Sequence, residues 1–88
     1  MKQFQLPNEP ADLTASNETA TTVDLNWTAV EGASGYNVYQ DGVKIDTVTT
    51  NSYSVTGLTT ATTYDFYVTA TNDTGESEPS NTVNVTTL

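Results

Sequence analysis

The sequence predicts an all-β domain, a seven-stranded antiparallel β-sandwich, and three observations carry that expectation. Tyr64, Phe66, Val68 and Ala70 alternate with Asp65, Tyr67, Thr69 and Thr71, and Val23, Leu25 and Trp27 alternate in the same way with Thr22, Asp24 and Asn26. Side chains on a strand point to opposite faces in turn, so each stretch is a strand with one buried side. Turn-forming residues recur at spacings of roughly 8 to 12 residues, the rhythm of a sandwich. No stretch carries a helical period.

The elements follow in order. Met1 to Glu9 has no periodic pattern and reads as a linker, with Phe4 and Leu6 available to tuck against the domain that begins at Pro10 and runs to Leu88. Ala11 to Ser16 is a short first strand with Leu13 inward; prolines just ahead of it suit an edge, because Pro cannot donate to a ladder. Asn17 and Glu18 turn the chain into the strand Thr21 to Trp27. The loop TAVEGAS leads to a strand from Gly35 with Tyr36 and Val38 inward. Asp41 and Gly42 then mark a two-residue hairpin, since a type I′ turn needs positive φ at both central positions. Val43 to Val48 returns as the hairpin partner with Ile45 inward, and Tyr53 to Thr56 is a short strand with Tyr53 and Val55 inward. After Gly57 and Leu58 a Thr-rich link leads to the strand opened by Tyr64. A Leu, a short polar link and a Tyr that opens a strand is the form of a tyrosine corner, in which the phenol bonds back to upstream backbone. NDTGESEP is a polar loop, and Ser80 to Thr87 closes the domain with Val83 and Val85 inward.

Composition narrows the function. Eighty-eight residues make one small domain with a modest core. There is no Cys and no His, so disulfides, thiolate chemistry, the usual transition-metal ligands and the usual general base are all missing. The net charge is −9, with Lys2 and Lys44 the only cations. Such a chain is repelled by phosphate backbones and anionic membranes, which argues against nucleic-acid and lipid partners and favours a monomer at low salt. No apolar run approaches the roughly 20 residues of a membrane span, and no signal peptide is visible, so any export signal is expected in a longer parent chain.

At this point the residues resemble a fibronectin type III domain, an immunoglobulin-like sandwich, over nearly the whole chain. The carriers are Trp27 in VDLNW, Tyr36 in GYNVY, the corner from Leu58 to Tyr64, the Y-x-F-x-V-x-A strand and the closing GESEPSN. GYNVYQDGVKI is similar to modules of secreted bacterial polysaccharide-degrading enzymes and surface proteins. The resemblance implies two sheets, A-B-E and C′-C-F-G, with loops holding Glu31, Asn51 and Gly75 at one pole and the termini at opposite ends. One departure is visible: the corner in that family commonly carries Pro and Gly, whereas Thr60 and Ala61 stand here.

Candidate sites are few. Acid/base work on glycosides needs two carboxyls facing across a groove, roughly 5 to 9.5 Å apart. Nearly every acid here falls in a turn or on an outward strand position, and no catalytic residue or cofactor site is expected. Asp73, Glu76 and Glu78, with Glu31 at the same pole, offer oxygens to Ca²⁺, but their spacing fits no EF-hand and solvated acids are the stronger reading, so no metal is expected. The chain has no Arg, which excludes an Arg-Gly-Asp motif. Four Asn-x-Thr sequons, at Asn17, Asn26, Asn72 and Asn84, are put down to chance in a chain so rich in both residues. One exposed feature remains. Strand parity points Tyr39 and Tyr67 outward on neighbouring strands, with Asn84 and Lys44 flanking them, a face suited to a sugar or another domain. The plainer reading is a cross-strand aromatic pair that stabilises the sheet.

These readings converge on a non-catalytic accessory or spacer module of a larger exported bacterial protein, its partners the neighbouring domains of that chain and, more weakly, polysaccharide. The alternatives are a display domain on a bacteriophage virion protein contacting cell-surface glycans and, last, an engineered binding scaffold. An extracellular, cell-surface or virion location follows from each of the first two.

Overall fold

A computed structural model describes residues 5–88 and contains seven strands in two antiparallel sheets. They are β1 (Ala11–Ser16), β2 (Val23–Thr28), β3 (Gly35–Gln40), β4 (Val43–Val48), β5 (Ser52–Val55), β6 (Thr63–Thr71) and β7 (Val83–Thr86). The sheets order as β1-β2-β5 and β4-β3-β6-β7, the arrangement the resemblance implies. Phe4, one of the two side chains expected to tuck in, lies outside the described residues.

The core comes from the alternating positions. Phe66, Val68 and Ala70 of β6 and Tyr36 and Val38 of β3 face Val23, Leu25 and Trp27 of β2, with Leu13 and Val55 beside them. Trp27 packs edge-on against Tyr36 at 5.4 Å between ring centroids, the T-shaped geometry that sets one ring's positive edge against another's negative face. The Tyr36 hydroxyl accepts the Val30 N–H at 2.8 Å and so holds the β2–β3 loop over these rings.

Both turn signals have the expected backbone. Asp41 and Gly42 sit at φ 50° and 84°. In the corner, Leu58 is buried and the Tyr64 hydroxyl accepts the Thr59 N–H at 2.8 Å. Ala61, where the family commonly has Gly, stands at φ 51°. Left-handed backbone costs a residue with a Cβ roughly 1–2 kcal/mol, partly offset by the freedom Gly has in the unfolded chain. Ala61→Gly is therefore expected to stabilise the domain by about 0.5–1 kcal/mol; a urea midpoint that stays put or falls would show the corner to be unstrained.

One inward assignment is corrected. Ile45 is 38% exposed and Val43 is 65% exposed. The β3–β4 register slips between Val38 and Tyr39, where Val38 faces Asp46 and Tyr39 faces Lys44, leaving Ile45 without an opposite number. A bulge takes its extra residue out of the alternation and twists the strand. Bulge and edge position together leave Val48 the one β4 side chain that is even half-buried. The Asp46 carboxylate also takes the Thr47 N–H at 2.7 Å, so a charge and a bulge both mark a strand that has no outer neighbour among the described residues, the usual means of blunting an edge.

The closing strand is shorter than expected, Val83–Thr86, because side chains substitute for it further up β6. Ser80 N–H donates to the Val68 carbonyl and Val68 N–H to Ser80 Oγ, at 2.8 and 2.9 Å. Ser77 and Ala70 repeat the pattern at the same two distances. Asn81 does the same for β1: its Oδ1 accepts the Leu13 N–H and its Nδ2 donates to the Leu13 carbonyl, both at 3.0 Å. One short segment thereby clamps both sheets.

Candidate functional site

The outer face of the four-stranded sheet is built from the positions that alternate with the core. On β3 these are Asn37 and Tyr39; on β6 they are Asp65, Tyr67 and Thr69. Tyr39 and Tyr67 are direct cross-strand partners, and their rings stack at 4.7 Å between centroids with 13° between planes. Lys44 lies opposite Tyr39 on the other side. Asn84 lies opposite Asp65, two residues before Tyr67 on the same face of β6, and its Nδ2 donates to Asp65 Oδ1 at 2.7 Å. The face therefore brings Tyr39, Tyr67 and Lys44 into one row, with Asn84 in the next row, bound to Asp65.

The residue that organises this face is Glu76, from the β6–β7 loop. Its Oε2 accepts from Asn37 Nδ2 at 3.1 Å, from Thr69 Oγ1 at 2.5 Å and from the Tyr39 hydroxyl. Thr47 Oγ1 extends the network by donating to Asn37 Oδ1 at 2.7 Å. The sequence placed Glu76 among solvated loop acids. Its role emerges only from the pairing of β3 with β6, which sets Asn37, Tyr39 and Thr69 together as three donors beneath the loop. Because Glu76 covers it, Thr69 is buried although it points away from the core.

These bonds fix the charges. Glu76 is held below the ordinary carboxylate value by its hydrogen bonds from Thr69, Tyr39 and Asn37, with the Lys44 charge adding to them and partial burial opposing. The Tyr39 hydroxyl is pushed up to about 12, first by its bond to Glu76, then by burial and the neighbouring charge. The signs follow by linkage. A carboxyl lowered on folding stabilises the fold above its unfolded pKa, and that contribution is lost as pH falls through the folded value. A phenol raised on folding contributes below its unfolded value of 10.0, and the contribution is lost as pH rises toward about 12. Glu76→Gln is expected to return Tyr39 toward 10.0 in an NMR ring-carbon titration. It should also flatten the acid limb of stability against pH; a Tyr39 titration unchanged by the substitution would break the assignment.

Chemically this is a packed surface. The stacked rings spend their facing sides on each other, and Glu76 Oε2 and the Tyr39 hydroxyl are bound to one another. Glu31, Asp73 and Glu78 are exposed at the loop pole, and among the described residues no three His, Cys, Asp or Glu gather. The hallmark residues Trp27, Tyr36, Leu58 and Tyr64 all serve the core or the corner.

Comparison with known proteins places these features. The model of the family described as "Fibronectin type III domain" matches residues 8–86. The chain is 43% identical over 84 residues to a poly(3-hydroxybutyrate) depolymerase of Ralstonia pickettii, covering 94% of this chain and 17% of the relative. It is 44% identical over 85 residues to Chitinase Chi52 of Paenibacillus xylanexedens, covering 92% and 16%. A tail tube protein of Bacillus phage SPP1 is 43% identical over 83 residues, covering 92% and 31%. The chain thus spans under a third of each of these relatives. Among solved structures, the crystal structure of FN3tt superposes with a TM-score of 0.84 at 29% identity, covering 94% of this chain and 96% of that one.

Proposed function

The chain belongs to the fibronectin type III family, and from that premise we propose that it is a non-catalytic, monomeric spacer module of a larger exported bacterial protein. The observation that carries this is the path of the chain. Ala11 of β1 pairs with Thr28 and Thr86 of β7 pairs with Thr63, so the chain enters at the pole of the β2–β3 loop and leaves at the opposite one. Along β6, nine residues at about 3.4 Å each separate the poles by roughly 30 Å. Domains attached at the two ends stand in line, held apart by a rigid acidic sandwich.

The relatives support a spacer over a dedicated ligand site. By their names they act on chemically unlike polymers, a polyester and a chitin, yet this chain is about equally similar to the matching segment of both. A face shaped for one polymer would not serve the other. The similarity to the phage tail tube protein favours the second reading, a domain displayed on a virion; the same in-line geometry suits it.

The test is an NMR titration of the labelled domain with chito- and cello-oligosaccharides and with hydroxybutyrate oligomers. No saturable shift is expected at millimolar ligand. Saturable shifts confined to Tyr39, Tyr67, Lys44 and Asn84, lost in Tyr67→Ala, would overturn the spacer reading in favour of a polymer-contact face.

A further inference from the structure

Resting on the in-line reading, we propose that the pole of the β6–β7 loop is a joint: the segment Gln5 to Glu9 docks there and sets the direction in which a preceding domain stands. Asn72 is the latch. Its Oδ1 accepts the N–H groups of Thr74 and Gly75, at 2.8 and 3.1 Å, and so shapes the loop tip. Its Nδ2 then donates to the Gln5 carbonyl at 2.8 Å. One amide thus ties the entering chain to the loop it also forms.

Leu6 completes the contact. It lies over Gly75, where an added Cβ would stand 3.1 Å from Leu6 Cδ2 and where φ is +152°. A side chain at that position would strain the backbone and require Leu6 to shift by a few tenths of an ångström. Gln5, Leu6 and Pro7 together wall a groove of about 270 Å³ whose other side is Glu31, Gly32 and Asn72. Behind them Pro10 is fully buried, and Pro residues on both sides of Asn8 and Glu9 limit the segment's freedom at φ. Part of the loop pole is therefore covered by the chain's own entering segment. Leu6 still shows 53% of its surface.

Asn72→Asp separates the two halves of the latch, since it keeps the acceptor that shapes the loop and removes the donor to Gln5. Backbone ¹⁵N relaxation on the single domain reads the result. In the unmodified domain the order parameters of Gln5 and Leu6 are expected near the rigid-backbone value of about 0.85. In Asn72→Asp, and independently in Gly75→Ala, they are expected to fall below about 0.6 while Val68 and Ala70 are unchanged. Tail-like values for Gln5 and Leu6 in the unmodified domain, or values indifferent to both substitutions, would overturn the joint. Either result leaves the oligosaccharide titration to decide the spacer reading by itself.

Discussion

Phe66→Ala is expected to cost about 3–5 kcal/mol, the range for emptying a buried aromatic site. Phe66 has no exposed surface and stands at the middle of the core. Its strand is the longest and is paired on both sides, with β3 and with β7. A deletion there cannot be repaired by a small shift of one edge, so the cavity persists. Domains of this size hold roughly 5–15 kcal/mol in all, and each kcal/mol moves the melting temperature by about 4–8 °C. Thermal and urea unfolding should therefore show a loss of at least about 12 °C with the urea slope little changed. Phe66→Leu, which refills most of the volume, should cost far less. A Phe66→Ala loss under about 1 kcal/mol would mean that the two sheets close over the gap, and that the packing of this core is looser than its burial indicates.

Phe66 was legible in the sequence because alternation is a local property. The period of two along VDLNW, GYNVY and TYDFYVTAT assigns Val23, Leu25, Trp27, Tyr36, Val38, Phe66, Val68 and Ala70 to the core without any knowledge of what lies opposite, and all eight are buried. The Asp41 and Gly42 hairpin is equally local, being a demand of φ on two adjacent residues. The Tyr64 bond to Thr59 spans only five residues and was legible for the same reason. What failed depended on a partner. Ile45 is displaced by a bulge whose cause is the register against Tyr39, invisible in VKIDTV alone. Glu76 reads as one more loop acid until β3 and β6 set Asn37, Tyr39 and Thr69 side by side; its contacts with the first two cross 39 and 37 residues of sequence. Asn84 has the expected parity, but parity cannot say which outward neighbour an amide will meet, and here Asp65 takes its Nδ2. Only pairing decides that.

The same dependence on a distant partner makes Ser77 and Ser80 the next most consequential positions, although the sequence marked one only as loop and the other only as the start of the closing strand. Between Glu76, which bridges to Thr71, and Val83, where β7 begins, the chain leaves the sheet with Pro79 in it, and Pro has no N–H to offer a ladder. The β6 amides of Val68 and Ala70 lie in this gap and have no exposed surface. Each is rescued by a serine that offers its own N–H to the carbonyl and its Oγ to the amide, while the hydroxyl proton goes on to the carbonyl of Glu78 or Asn81, at 2.8 and 2.9 Å. Replacing Ser80 or Ser77 by Ala removes the acceptor and leaves a buried N–H unpaired, at a cost of about 1–3 kcal/mol each. Hydrogen exchange locates the effect: the Val68 amide should exchange faster in Ser80→Ala, and the Ala70 amide in Ser77→Ala, relative to global unfolding in the same variant. If exchange at both amides follows global unfolding alone, then water has entered to replace the hydroxyls. The serines would in that case serve only to turn the chain, and the loop that carries Glu76 to the tyrosine face would owe its position to Glu76 itself.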